Sequence, residues 1–279
     1  MLETMKTLLS EAEKTGKALP AINVSNMESL LALLDAAASN DYPVIIQVSP
    51  IELDHKGISF FEYAEMVKLF LGRYQVDAAI HLDHATTVEQ CLMAMQGGFT
   101  SVMFDGSSLP FEENLRKSAE VANLAKKWGA TVEAELGKVS GNEGEKGSSD
   151  KGFMTDPGLA RSFVTATGID CLAVAIGNAH GLHTTSPKLD FERLLTISKE
   201  AGVPLVLHGG TGIPAEDIRK AISRGIRKIN FFTEIDRSFV AGFIEALQEN
   251  PSAYLMEAAK AGQERMQEEI ERKIELCRR

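Results

Sequence analysis

The sequence predicts one α/β domain over residues 1–279, a (β/α)8 TIM barrel with a C-terminal helical extension. Three observations predict it. Eight short apolar runs alternate with helical patterns along the chain, and eight strand–helix pairs in about 230 residues is the size of such a barrel. Polar, chemistry-bearing residues collect where the runs end, which is the face on which barrels of this kind carry their sites. A doubly wound sheet is the alternative, but no Gly-x-Gly-x-x-Gly follows the first run.

The runs are residues 21–24, 43–49, 76–83, 101–105, 131–137, 170–177, 204–209 and 227–231. All are short and rich in Val, Ile, Leu or Ala, which suits parallel strands buried on both faces. Residues 26–39 predict a helix with Leu30, Leu31, Leu34 and Ala38 on one face. Thr86-x-x-Glu89 reads as a capping box that opens the helix carrying Cys91, Leu92 and Met95. Asp156-Pro157 reads as an N-cap with proline at the first helical position. Gly98, Gly129, Gly168, Gly202 and Gly225 fall near helix ends, where a left-handed cap favours glycine. Residues 137–153, rich in Gly, Ser and charge, form a long loop of the sort that serves as a lid or binding loop. After residue 233 come a long helix, a break at Asn250-Pro251, and a charged helix over 251–275. In that last helix Leu255, Met256, Ala259 and Met266 form an apolar stripe that either meets another subunit or covers the barrel.

Composition narrows the partners. A hydrophobic fraction of 44% and a charged fraction of 24% are ordinary for a globular chain. Lys and Arg total 29 against 39 Asp and Glu, and the net charge of −10 argues against a general electrostatic hold on nucleic acid or an anionic membrane. No apolar run reaches the roughly 18 residues of a membrane span, and charges interrupt the N-terminal segment where a secretory signal would be apolar. Cys91, Cys171 and Cys277 are too far apart for a metal pair and odd in number, which points to a reducing compartment, the cytoplasm.

The run ends carry Asn23 and Ser25, Gln47 and Ser49, Asp83-His84, Asp105, Glu133 and Glu135, and Asn230 with Thr233 just beyond. His180 follows the sixth run, and His208-Gly209-Gly210-Thr211-Gly212 ends the seventh. His84, His180 and His208 therefore point toward one mouth, with Asp83, Asp105 and Glu135 nearby. Three neutral imidazoles with an open fourth position make a common catalytic zinc site. His81 shares Asp83's strand face and is a candidate to support a ligand. His55 and His183 read as loop residues at the surface. The glycines after His208, and Asn230-x-x-Thr233, lie where backbone N–H groups at helix openings bind phosphate in many barrels. No lysine at the run ends suits a Schiff base, since Lys228 begins strand eight, at the wrong end.

These pieces resemble the class II, metal-dependent ketose-phosphate aldolases. The resemblance rests on HLDHA (81–85), EAELG (133–137), GNEGE (141–145), TDPGLARSFVTATGID (155–170), LAVAIGNAHG (172–181), PKLDFERL (187–194), PLVLHGGTGI (204–213) and KINFFTE (228–234). These blocks span nearly the whole chain in the family's order, and in style are nearest to the tagatose-bisphosphate aldolase group. The resemblance implies that His84, His180 and His208 hold zinc, and that Asp105 and Glu135 mark an alternate or second metal position. It implies that Asp83 is the acid/base at the hydroxyl of the cleaved carbon and that Glu143, in the loop, moves the proton at the enediolate carbon. Asn23, Ser49 and Asn230 match substrate contacts. Gly181, Gly209, Thr211 and Thr233 match the cradle for the phosphate of dihydroxyacetone phosphate. Main-chain oxygens around Ala179, Gly181 and Gly209 match a monovalent-cation site of some members. A homodimer or homotetramer is implied as well. Retro-aldol cleavage needs a Lewis acid to hold the enediolate charge, which suits zinc on neutral imidazoles.

Two residues depart from the pattern. Members that cleave bisphosphates carry an arginine after Asp-Pro in the C-terminal region, which reaches a neighbouring subunit's second phosphate; here the stretch is Asn250-Pro251-Ser252. A serine cannot supply a bidentate cation to a phosphate dianion. Phe232 stands where the family has a smaller or polar residue, and either narrows the phosphate side or points into the core. The expectation is thus a ketose 1-phosphate aldolase that yields dihydroxyacetone phosphate and an unphosphorylated aldehyde. The alternative is a fructose- or tagatose-1,6-bisphosphate aldolase that gives glyceraldehyde 3-phosphate. Two other classes fit less well: a barrel metallohydrolase would show His-x-His on the first strand, and a non-catalytic protein has no use for Asp83 and Glu143 beside three histidines.

Overall fold

The computed structural model describes residues 1–141, 152–181 and 187–279. Eight parallel strands pair in chain order and the last returns to the first, closing the barrel. They are β1 (Leu19–Asn23), β2 (Val44–Val48), β3 (Ala78–Ala85), β4 (Ser101–Phe104), β5 (Thr131–Leu136), β6 (Cys171–Val174), β7 (Leu205–Leu207) and β8 (Ile226–Phe231). Each of the eight apolar runs overlaps one of them, with β1 starting two residues earlier, β3 ending two residues later and β8 starting one residue earlier than its run, because a strand covered by helices outside and side chains inside has no wet face.

Alternation within the strands sorts the core into two layers. Ile22, Ile46, Ile80, Val102, Leu172 and Leu205 point outward against the helices. Ala21, Ile45, Ala79, Met103, Ala173 and Val206 point inward and make the barrel floor. The small inward residues leave room for a helix that the sequence reading did not anticipate. Helix α1 (Met5–Thr15) sets Met5, Leu8, Leu9 and Ala12 against that floor. Their i, i+3, i+4, i+7 spacing is an amphipathic stripe, so a segment interrupted by charges still makes a floor helix.

The outer helices follow the pattern with local corrections. Helix α2 (Met27–Asn40) is capped by Asn26, but its buried face is Leu30, Leu33, Leu34 and Ala37; Leu31 is half-buried and Ala38 exposed. Two helices, α3 (Pro50–Lys56) and α4 (Phe60–Leu71), lie between β2 and β3, each opened by a Ser-x-x-Glu capping box. His55 is exposed as expected, but on α3 rather than a loop. Helix α5 (Val88–Gly97) is capped one residue later than the sequence suggested, by Thr87 with Gln90, since both N-cap bonds form only in that register. Helix α6 (Phe111–Ala125) follows β4. Helix α7 (Pro157–Thr167) starts as expected on Asp156 with proline at its first position. Helices α8 (Phe191–Ala201) and α9 (Ala215–Ile222) complete the ring.

The extension is α10 (Thr233–Glu249) and α11 (Leu255–Arg278). The two touch backbone to backbone: a Cβ on Gly242 would lie 2.7 Å from the Ala261 carbonyl oxygen, and one on Gly262 would lie 2.8 Å from that of Phe239. The expected stripe on α11 divides. Met266 is buried with Ile270 and Ile274, whereas Leu255 and Met256 are about three-quarters exposed. The three cysteines are buried free thiols. Among the described residues, no helix is long and apolar enough to cross a membrane.

Candidate active site

The inward positions above the floor are polar, and they stack toward the C-terminal rim. Asn23, Gln47, His81, Asp83, Glu133, Glu135, His208, Lys228 and Asn230 are all buried. Asp83 and His84 are sequence neighbours on β3, and simple alternation would send them to opposite faces. His84 escapes that rule. Its φ is +50°, and the β3–β4 register shifts between Leu82 and Ala85. This left-handed kink in a non-glycine residue is strained backbone at a functional place, and it turns His84 to the mouth beside Asp83.

His84, His180 and His208 converge, each with one ring nitrogen within 4.8 Å of the others. In each ring the second nitrogen is occupied by a different acceptor. His84 Nδ1 donates to Asp105 Oδ2 at 2.8 Å. His208 Nε2 donates to Glu133 Oε1 at 2.8 Å. His180 Nδ1 faces the Gly141 carbonyl at 3.4 Å. The remaining nitrogens turn inward: His208 Nδ1 lies 2.9 Å from His84 Nε2, and His180 Nε2 is buried without a hydrogen-bond partner. Burial, with the neighbouring His84 and His208, pushes the His180 imidazole down to about 3. Burial lowers the His208 imidazole too, and each of the three rings aims one nitrogen at a common point while a hydrogen-bond acceptor holds its far nitrogen. That arrangement fits a metal ion.

The carboxylates divide their work. Asp83 Oδ2 lies 3.9 Å from His84 Nε2 and accepts from Gln47 Nε2 and Asn230 Nδ2, each at 3.0 Å. Burial works to raise the Asp83 carboxyl, but the charges of His84 and Lys228 outweigh it and hold the group well below the usual carboxylate range. Asp105 orients His84 and receives the Ser107 backbone N–H at 3.0 Å. Glu135 Oε1 accepts from Val139 N at 3.1 Å, while its Oε2 is buried without a partner. Burial and the Asp105 charge push Glu135 up to about 8. His84, Asp105 and Glu135 form a second group close enough to hold an ion.

A cavity of about 500 Å³ opens above these residues. His84, His180, Asp105 and Glu135 line it together with Ser49, Asp54, Gln90 and Ser107. Among its described lining residues, Lys138 is the only one with a permanent positive charge. Glu143 and His183 lie outside the described residues.

A family model described as fructose-bisphosphate aldolase class-II matches residues 3–279. The chain belongs to the class II fructose-bisphosphate aldolase family. Solved structures agree. The YdjI aldolase of Escherichia coli K12 is 34% identical over 99% of this chain and 97% of that one, with a TM-score of 0.86. A fructose-1,6-bisphosphate aldolase of Coccidioides immitis, described as putative, is 30% identical over 98% and 95%, also at 0.86. The fructose-bisphosphate aldolase of Campylobacter jejuni is 25% identical over 99% and 95%, at 0.84.

The other expected site residues of this aldolase fall around the rim. Ser49 caps α3, and its hydroxyl is 2.9 Å from Glu52 Oε2. Asn23 lies deeper, donating to Glu52 Oε2 and accepting from Gln47. Gly209 has φ +63°, and a Cβ there would lie 2.1 Å from the Ala179 carbonyl oxygen, so only glycine lets those backbones meet. Thr211 is buried, Gly181 is part-exposed at φ +87°, and Thr233 is the first residue of α10. Neither N-cap residue, Phe232 of α10 or Pro214 of α9, makes a side-chain cap, so the first N–H groups of these helices suit another acceptor. Phe232 is half-buried at the N-cap of α10.

Sequence reasoning gave no role to four residues that build this site, although it placed Gln47 and Glu133 at the run ends. Gln47 holds Asp83. Glu133 holds His208. Asn178 donates to the His208 carbonyl at 2.9 Å and pins the loop carrying His180. Lys228, dismissed as lying at the wrong end of strand eight, sits inside the barrel, with Nζ 2.7 Å from Glu133 Oε2 and 3.0 Å from His81 Nε2. Two-residue spacing was the available signal: Glu133-x-Glu135 and Lys228-x-Asn230 each put two polar side chains on the inward face. His81 touches no expected ligand ring; it lies 2.7 Å from Ser101 Oγ and takes a hydrogen bond from Lys228.

Proposed function

We propose that this chain is a zinc-dependent ketose 1-phosphate aldolase, cleaving its substrate reversibly to dihydroxyacetone phosphate and an unphosphorylated aldehyde. The observation that carries the reading is Asp83, held by two amides beside three histidines whose inward-facing nitrogens converge. His84, His180 and His208 would hold the metal, and Asp105 with Glu135 would offer the second position. The bound ion supplies the Lewis acid that stabilises the enediolate charge.

Every other step belongs to the chain's own side chains. Asp83 Oδ2 takes the proton from the hydroxyl on the carbon that becomes the aldehyde, and returns it in the synthetic direction. Gln47 and Asn230 keep that oxygen in place, so the proton acceptor is positioned before substrate arrives. Glu143, by family likeness, moves the proton at the enediolate carbon. The phosphate is received by Gly181, Gly209, Thr211 and Thr233, where a glycine-only backbone approach meets an uncapped helix start. Asn23, Ser49 and Asn230 serve the substrate hydroxyls. Carbonyls around Ala179, Gly181 and Gly209 serve a monovalent cation.

The aldehyde half is where this chain departs from its bisphosphate-cleaving relatives. The cavity wall offers Ser49, Asp54, Gln90 and Ser107, groups that suit hydroxyls better than a phosphate dianion. Ser252, in place of the relatives' arginine, is exposed, and its N–H donates to Asn250 Oδ1 in its own turn. Lys228 does not support a Schiff-base mechanism. Burial favours loss of its proton, but the charges of Glu133 and Asp83 prevail and raise its pKa, so it is an ammonium and no nucleophile. We further read the chain as one barrel domain of the cytoplasm, working as a homodimer or homotetramer without nucleic acid or membrane.

The test is a cleavage assay with a reductase that consumes dihydroxyacetone phosphate, with and without chelator. Ketose 1-phosphates are expected to be cleaved well, fructose and tagatose 1,6-bisphosphates at least tenfold less efficiently, and chelator to abolish both. A bisphosphate preference of a hundredfold would overturn the aldehyde assignment and leave an ordinary bisphosphate aldolase.

A further inference from the structure

Below the histidines lies a third group with metal-like geometry, His81, Asp83 and Glu133, all fully buried. The Lys228 ammonium already occupies it. Nζ lies 2.7 Å from Glu133 Oε2, 3.0 Å from His81 Nε2 and 3.8 Å from Asp83 Oδ1. His81 passes the contact on: with Nε2 accepting from Lys228, its Nδ1–H donates to Ser101 Oγ, whose hydroxyl faces Met5 Sδ at 3.6 Å. Glu133 Oε2 and both nitrogens of His81 are thereby committed to one orientation.

The consequence reaches the rim through one carboxylate. Glu133 accepts from Lys228 on Oε2 and from His208 Nε2 on Oε1. Pinning the first oxygen places the second, and the second decides which nitrogen of His208 keeps its lone pair. Stability alone does not call for this arrangement, because well-packed apolar groups often replace a buried ion pair without loss. We propose that Lys228 is a positioning residue: through Glu133 it holds His208 in the tautomer and orientation that bind the catalytic metal, and it fills the lower site with a built-in cation in place of a second ion.

The proposal rests on the three-histidine metal reading, and one experiment separates the two. Metal-free wild type, Lys228→Met, Glu133→Gln and the double variant are titrated with zinc against a chromophoric chelator, and cobalt(II) spectra of each are recorded. Wild type is expected to take up zinc at the histidines. Each single variant should bind it about 10- to 100-fold more weakly, the usual cost of losing a hydrogen-bond partner behind a ligand, with an altered cobalt spectrum. The double variant should lose no more than Glu133→Gln alone, because the lysine acts through that carboxylate. If Lys228→Met fails to fold around an unpaired carboxylate, the double variant, which removes both charges, carries the test. Zinc affinity and a cobalt spectrum like wild type in either folded lysine variant would overturn the proposal. A wild type that takes up no zinc would instead overturn the metal reading beneath it.

Discussion

At the residue scale the site is a set of side chains whose freedom has been removed in pairs. Asp83 is held by Gln47 and Asn230, His84 by Asp105, and His208 by Glu133. Asp83→Asn should therefore keep zinc uptake near wild type while lowering kcat about 10²- to 10⁴-fold, the usual worth of a positioned acid/base. Zinc titration and single-turnover cleavage measure the two effects separately. A loss below tenfold would move the proton transfer to another group. The three histidines and Asp83 were legible in the sequence because imidazoles and carboxylates at run ends are rare by chance. The sequence reading placed Asp83 and His84 at one mouth, but how two neighbours on a strand reach it was not legible. Alternation forbids it, and only the φ of +50° at His84 allows it. The partners Gln47, Glu133 and Lys228 looked like ordinary strand residues, because a buried polar group declares itself only once its neighbours across the barrel are known.

At the element scale the strands set depth. The same alternation that makes Ala21, Ile45 and Ala79 floor residues makes Asn23, Gln47 and His81 site residues two positions later. Helix α1 closes the floor from below, with Leu9 almost wholly buried among inward strand residues. Leu9→Ala should cost about 2 to 5 kcal/mol, the range for emptying a packed leucine site, and urea unfolding would measure it. A cost under 1 kcal/mol would mean that α1 is a loose appendage rather than the floor. The sequence reading passed over the helix, although Met5, Leu8, Leu9 and Ala12 lie on one stripe. Its place against the barrel floor was beyond that signal in any case, since a stripe does not say what it faces. Cap positions were legible to within a residue, as at α5, because two adjacent threonines offer the same hydroxyl.

At the scale of the whole molecule, α10 and α11 stand outside the eight-fold pattern and present apolar groups to solvent. Tyr254, Leu255 and Met256 are each about three-quarters exposed, and Val240 and Ile244 are nearly half exposed. Exposed apolar patches of this sort mark contacts with another protein surface, and the proposed homo-oligomer supplies one. The double substitution Leu255→Glu and Met256→Glu should shift the chain toward monomer in sedimentation velocity, with secondary structure unchanged. A wild type that sediments as a monomer would remove the oligomer reading.

By itself the sequence determined the barrel, the positions of all eight strands to within three residues, the rim as the candidate site and the family. Each of these follows from local periodicity, strand count or residue types that recur in order, and none needs knowledge of which strands face each other. Tertiary structure alone decided that Lys228 lies inside rather than at the wrong end, that Glu133 belongs to His208, and that α1 is the floor. Those facts join residues far apart in the chain across a closed barrel. Whether a buried charge is a liability or a working part depends on the group opposite it, and no single segment carries that information.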